Sequence, residues 1–195
     1  GTAEILAALH DFPRGNSGSL YLSPDNGQSW KMINNNYNFS ELVFDEEDPD
    51  LIYAASITDG IIKSDDGGYS WYKINNGLPE GLRYGTITMD KTNSILYCAP
   101  DVRPSDTDLA AISIYYSKDK GESWHLIKAH NENDLSNYPD YIHKRPKRVG
   151  WAISKIRVDL KDSNKLYMSN WFGVSVSEDR GNSWNGNDFS GTETT

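Results

Sequence analysis

The sequence predicts an all-β protein assembled from a repeated four-stranded unit. Three observations lead there. The octapeptide "SPDNGQSW" at residues 23–30 returns as "SDDGGYSW" at 64–71, "SKDKGESW" at 117–124 and "SEDRGNSW" at 177–184. Short runs rich in Tyr, Ile, Val and Trp, each closed by a Gly, Asp or Asn turn signal, dominate over any helical period. The chain also holds 6 Trp, 12 Tyr and 5 Phe, an aromatic load that disordered segments lack.

The second unit gives the order of elements. "SELVFD" is a first strand, A, ending in an Asp, and "DEEDPD" is a turn. "LIYAAS" is strand B, "ITDG" a turn, "IIKS" strand C, "DDGG" a turn and "SWYKIN" strand D. The third unit repeats this with "GTITMD", "SILYCAP", "AISIYYS" and "SWHLIKA", and the fourth with "SKIRVDL", "KLYMSN", "GVSVS" and "SWNG". The first unit offers only B, C and D: "EILAALH", "GSLYLS" and "SWKMIN". The units span approximately 1–36, 37–77, 82–129 and 150–188, with a long loop at 130–150.

The octapeptide is then the C–D turn. Asp25, Asp66, Asp119 and Asp179 can accept backbone N–H groups across it, and the Gly permits a positive φ. Ser hydroxyls tie the turn to nearby backbone. Trp30, Trp71, Trp124 and Trp184 begin strand D and can wedge between neighbouring sheets. These eight residues are expected to be structural rather than catalytic.

Composition excludes some functions. A net charge of −9 argues against a nucleic-acid partner, and "HKRPKR" reads as a solvated loop. No apolar run is long enough to span a membrane. Cys98 is the single cysteine, which leaves no internal disulfide and suits a buried strand position. No metal or cofactor is expected. "NFS" at 38–40 fits a glycosylation acceptor.

Spacing locates the loops that are free to vary. Successive octapeptide Trp residues lie 41, 53 and 60 apart. The third unit has a long B–C loop, "PDVRPSDTDLA", followed by a long D–A loop, and both fall on the face opposite the octapeptide turns. A cleft between units three and four is therefore the expected binding site. Its candidate ligand residues are Asn170, Trp171 and Phe172 in one turn, Tyr138, Tyr141 and Trp151 in or beside the long loop, and Asp101, Asp106 and Asp108. Flat aromatics stack on sugar rings, while Asn and Asp bind hydroxyls. The other loop carboxylates on that face are Asp11, Asp59 and Asp140. Hydrolysis of a glycoside needs two carboxyl groups flanking one bond, and no motif singles out such a pair.

The phrase S-x-D-x-G-x-S/T-W is identified as the Asp-box, or bacterial neuraminidase repeat. Proteins that carry it, which include sialidases, family 74 xyloglucanases, the sortilin ectodomain and a photosystem II assembly factor, are typically β-propellers. The resemblance implies a partial β-propeller of about four Asp-box blades. The wording "DPDLIYAAS…DGIIKSDDGGYSW" is most similar to the xyloglucanase and photosystem-factor style. "NWFGVSVSEDRGNSW…FSGTETT" resembles the xyloglucanase run of strand, Asp-box and a "G-x-E-E-T" segment. The Arg-Ile-Pro signature of sialidases is absent. The resemblance implies a carbohydrate-active propeller outside the cytoplasm, secreted, periplasmic or on the cell surface, with a glycan or polysaccharide as partner. The rival is a non-catalytic, protein-binding propeller scaffold. No catalytic residue is carried over. Because the first unit lacks strand A, the remainder of a larger propeller or a second chain is expected to complete the ring.

Overall fold

The computed structural model describes residues 4–10, 18–101, 113–127, 153–169 and 173–188. These form four antiparallel sheets, the blades of a partial β-propeller. Blade one is three-stranded, with β1 (Ile5–His10), β2 (Gly18–Ser23) and β3 (Lys31–Asn34). Blade two runs β4 (Phe39–Phe44), β5 (Ile52–Ser56), β6 (Gly60–Ser64) and β7 (Tyr72–Lys73). Blade three holds β8 (Tyr84–Asp90), β9 (Ile95–Pro100), β10 (Tyr115–Ser117) and β11 (His125–Leu126). Blade four holds β12 (Lys155–Val158), β13 (Leu166–Ser169), β14 (Gly173–Ser177) and β15 (Asn185–Asp188).

Strand alternation builds the core between blades rather than within them. Successive side chains on a strand point to opposite faces of the sheet. On β5, Ile52 and Ala54 pack towards blade one, while Tyr53 and Ala55 pack towards blade three. On β9, Leu96 and Cys98 face blade two, while Ile95, Tyr97 and Ala99 face blade four. Three apolar layers result, one per blade boundary. Cys98 lies in the second layer, and burial pushes its thiol pKa well up.

Polar ties join the inner strands. Glu41 on β4 accepts hydrogen bonds from the Thr86 hydroxyl (2.7 Å) and the Ile87 amide (3.0 Å) on β8. It also pairs with Arg157 and with Lys155 (3.3 Å) on β12. The Ile156 amide donates to Thr86 Oγ1 at 3.2 Å. One carboxylate thus links blades two, three and four. Asn38 is buried, 2 % exposed, and the neighbouring Ser40 hydroxyl donates to the carbonyls of Ala55 and Tyr84. The sequon at 38–40 is therefore closed to a glycan in this fold.

The octapeptide turns share one hydrogen-bond scheme. In the second, the Ser64 hydroxyl donates to Asp66 (2.8 Å) and accepts from the Gly68 amide (2.8 Å). The Ser70 amide (2.8 Å) and hydroxyl (2.6 Å) both donate to Asp66. The equivalent Gly27, Gly68, Gly121 and Gly181 all have φ between 86° and 96°, where a Cβ is strained. Each strand D starts one residue after its Trp, so the indole belongs to the turn and not to the strand. The A–B turns are capped in a related way by the Asp ending strand A: Asp45, Asp90 and Asp159 each accept two backbone amides of their turn. Amides of Gly67 and Arg180 donate to the carbonyls of Asp50 and Asn164, so A–B and C–D turns share a face.

The tryptophans divide sharply. Trp71, Trp124 and Trp184 are 8 %, 3 % and 6 % exposed at the three blade boundaries, whereas Trp30 is 45 % exposed. Trp30 does not wedge between two sheets in this structure, because no sheet among the described residues lies on that side of blade one. Ile5 and Met32 are exposed beside it.

Asp66→Ala should lower unfolding free energy by about 1–3 kcal/mol through the lost turn bonds. Ligand binding on the opposite face should persist at a permissive temperature. The acid limb of stability provides a second readout. The Ser29 hydroxyl holds Asp25 down from its ordinary 3.8 to about 2, and the Ser123 hydroxyl holds Asp119 down to about 2. A carboxyl whose folded pKa is depressed stabilises fully above its unfolded pKa, and the contribution disappears as pH falls through the folded value. The first and third octapeptide turns should therefore weaken between about pH 4 and pH 2. A thermal-melt series against pH checks this, and loss of the fold near pH 5 would contradict it.

Candidate functional site

A groove of about 670 Å³ lies on the face opposite the octapeptide turns. Two connections build it. One is the B–C turn of blade two, with Thr58 and Asp59. The other is the D–A connection from Asn75 to Tyr84, reading "NNGLPEGLRY". The Gly- and Pro-rich composition of that connection disfavours regular strand and keeps backbone near the surface.

Asp59 is the best-defined charge in the groove. Lys73 pairs with it at 2.8 Å. The hydroxyls of Thr58 (2.7 Å) and Ser56 (3.2 Å) also donate to it. Burial pushes its pKa up, but Lys73 and the two hydroxyls outweigh burial and leave it below the usual carboxylate value. Asp59 is consequently ionised at neutral pH. Asn75 is committed to structure: its amide donates to the Asp59 carbonyl (2.7 Å) and its oxygen accepts from Ile61 N (2.8 Å). Glu80 and Arg83 line the remainder, with Glu80 exposed. Tyr84 forms part of the wall but is only 1 % exposed, and desolvation drives its hydroxyl pKa far up. None of the described groove residues offers an exposed flat aromatic.

Asp101 adjoins this groove. Its amide donates to the Arg83 carbonyl at 2.7 Å, and its Cβ lies where a side chain on Gly85 would have to go. Gly85 therefore permits the close approach of Asp101. The other candidates, Asn170, Trp171, Phe172, Tyr138, Tyr141, Trp151, Asp106 and Asp108, lie outside the described residues, as do Asp11 and Asp140. Lys73, Glu80 and Arg83 were not singled out by sequence reasoning, which followed the longest loops. The signal available was the compact "NNGLPEGLRYG" between strands D and A, on the same face. No group of His, Cys, Asp and Glu among the described residues is arranged to hold a metal ion. No helix among them is long and apolar enough to cross a membrane.

Known proteins share this architecture at low identity. The GH74 enzyme of Niastella koreensis superposes with a TM-score of 0.67 and 17 % identity, covering 95 % of this chain and 28 % of that one. A chain of a nidogen/laminin complex gives 0.61 and 14 %, covering 95 % and 61 %. YCF48 from Cyanidioschyzon merolae gives 0.54 and 15 %, covering 81 % and 40 %. Such likeness shows the fold alone, and the chain spans less than two thirds of the length of each. No curated protein sequence matches. The family model described as "Sortilin, neurotensin receptor 3" matches residues 18–134, more than half of the chain. The chain belongs to the Sortilin-Vps10 family of β-propellers.

Proposed function

We propose that this chain is part of a non-catalytic binding propeller that takes an extended polypeptide segment of a partner into the groove between blades two and three. The observation that carries this reading is the state of Asp59. Glycoside hydrolysis requires a carboxylic acid with a raised pKa to protonate the leaving group, facing a second carboxylate. Asp59 is the reverse: ionised, and committed to one ammonium and two hydroxyl groups. Lys73, Asp59, Glu80 and Arg83 together present alternating charges that suit backbone and side-chain groups of a peptide. Membership of a family described by a receptor favours the same reading. The carbohydrate reading rests on the aromatics of residues 138–172, and the Asp-box resemblance supports it as the competing outcome.

The exposed side of blade one belongs to the same proposal: a further propeller blade covers Trp30, Met32 and Ile5. Three internal boundaries bury the equivalent Trp, and this side alone leaves it exposed. On the Asp-box resemblance alone, the proposed address is outside the cytoplasm.

The test is peptide selection by display against the chain, followed by calorimetry of the best binders and a reducing-sugar assay on xyloglucan. Lys73→Glu should weaken the selected peptides by about tenfold or more, since it turns an attractive site into a repulsive one. Release of reducing sugar, or peptides indifferent to Lys73→Glu, would overturn the proposal.

A further inference from the structure

A second pocket, of about 250 Å³, opens at the boundary of blades three and four, on the side that carries the octapeptide turns. Its apolar wall is made by Tyr97, Tyr116 and Ile127, which belong to the layer between blades three and four, and its polar rim by Lys118, Arg180 and Asn182. The repeat makes this pocket informative, because the same positions can be read one boundary earlier. At the boundary of blades two and three, Lys63 stands at the position of Tyr116, Asp65 at that of Lys118 and Glu122 at that of Asn182, while Lys120 already supplies a cation at that of Arg180. There acids and bases mix. At the boundary of blades three and four both acids are gone, and an aromatic ring, Tyr116, replaces a lysine. The fold does not demand this set, since the earlier boundary is built without it.

The change has an electrostatic consequence. Lys118 and Arg180 converge on one pocket whose described lining contains no carboxylate, in a chain of net charge −9. The neighbouring acids are spent: Asp119 and Asp179 each accept from two serines of their own turns. Arg180 is held in place, with its Nε donating to Asn164 Oδ1 at 3.1 Å and its backbone amide to the Asn164 carbonyl at 2.8 Å. The guanidinium is thus oriented while its terminal nitrogens have no acceptor among the described residues. Lys118 lies 5.5 Å from the centre of the Tyr116 ring, so cation and aromatic wall are adjacent.

We propose that this pocket binds a small organic anion: a carboxylate or phosphate head on Lys118, Arg180 and Asn182, with an aryl or branched aliphatic body against Tyr97 and Tyr116. Charge-assisted bonds from an anchored guanidinium supply direction, and burial of the body supplies the apolar part. The volume admits one such group, either free or at the end of a larger molecule. This site is on the opposite face from the proposed peptide groove and stands independently of it.

The test is a titration of the isotopically labelled chain followed by amide chemical shifts, with phenyl phosphate, benzoate, inorganic phosphate and benzyl alcohol as probes. Phenyl phosphate and benzoate should saturate, shifting amides of residues 116–118, 126 and 180–182. Inorganic phosphate and benzyl alcohol, each lacking half of the ligand, should bind at least about tenfold more weakly. The variants transplant residues the repeat already accepts. Lys118→Asp copies Asp65, Tyr116→Lys copies Lys63, and Arg180→Asn copies Asn26, which holds the same positive φ (59°) in the first turn. Each should keep its dispersed spectrum; Lys118→Asp and Arg180→Asn should weaken phenyl phosphate about tenfold, and Tyr116→Lys should erase its advantage over inorganic phosphate. A free aryl anion that saturates identifies a small ligand, and a phosphotyrosyl peptide that binds more tightly identifies the same group on a larger one. Absence of saturable binding by any aryl anion, or binding unchanged in Lys118→Asp and Arg180→Asn, would overturn the proposal.

Discussion

Trp124→Ala should lower the unfolding free energy by about 3–5 kcal/mol, the range for removing a large buried aromatic. The indole fills the boundary between blades two and three at 3 % exposure. Its Nε1 donates to the Ile74 carbonyl of the preceding blade at 2.6 Å, whereas Trp30, Trp71 and Trp184 bond the Gly carbonyl of their own turns. Truncation would leave both a cavity and an unmet backbone acceptor at a joint between two sheets. Trp30→Ala is the matched control. It removes the same side chain from the same turn, but one 45 % exposed, and should cost no more than about 1 kcal/mol. Urea unfolding of the two variants checks the pair. Equal losses would mean that the blade-one face is covered in the isolated chain.

Gly77→Ala should be the other severe change. Gly77 has φ 91°, and a Cβ there would overlap the carbonyl oxygen of Trp124. The overlapped group is backbone and cannot rotate away, and the Trp124 amide is itself bonded to the Asn76 carbonyl at 2.9 Å. Left-handed backbone costs an alanine about 1–2 kcal/mol, and forced displacement of packed backbone adds about 1–3 kcal/mol. Gly81→Ala separates the two costs. Its φ is 75°, but nothing lies within 4 Å of its would-be Cβ, so only the conformational cost should appear. Comparable melting temperatures for the two variants would show that the contact at Gly77 is not rigid.

The fold was legible in the sequence because the repeat writes its turns in side chains. Ser-x-Asp-x-Gly-x-Ser fixes a hydrogen-bond scheme by local chemistry, and the alternation of "LIYAAS" or "ILYCAP" fixes which residues face which neighbour. The exposure of Trp30 was not legible, since it depends on what lies beside blade one and not on the turn. The candidate site was less readable for a related reason. Loop length pointed to the third and fourth units, yet a groove also forms where a short, Gly- and Pro-rich connection passes a tight B–C turn. The role of Asp59, in a turn, depends on Lys73, fourteen residues later in β7. Asn75, also in the groove, is consumed by Asp59 O and Ile61 N. Spacing along the chain carries no record of such pairings across the sheet.

The same division of labour gives each face a different role. The octapeptide turns, fixed by their carboxylates, seat the tryptophans that fill the blade boundaries, and the B–C and D–A connections are proposed to meet a partner. Hydrogen exchange of the chain with and without a display-selected peptide tests this most directly. Protection should concentrate in residues 57–60 and 75–84, with the octapeptide turns unchanged. Protection confined to residues 64–71, 117–124 or 177–184, with none in the groove, would contradict it.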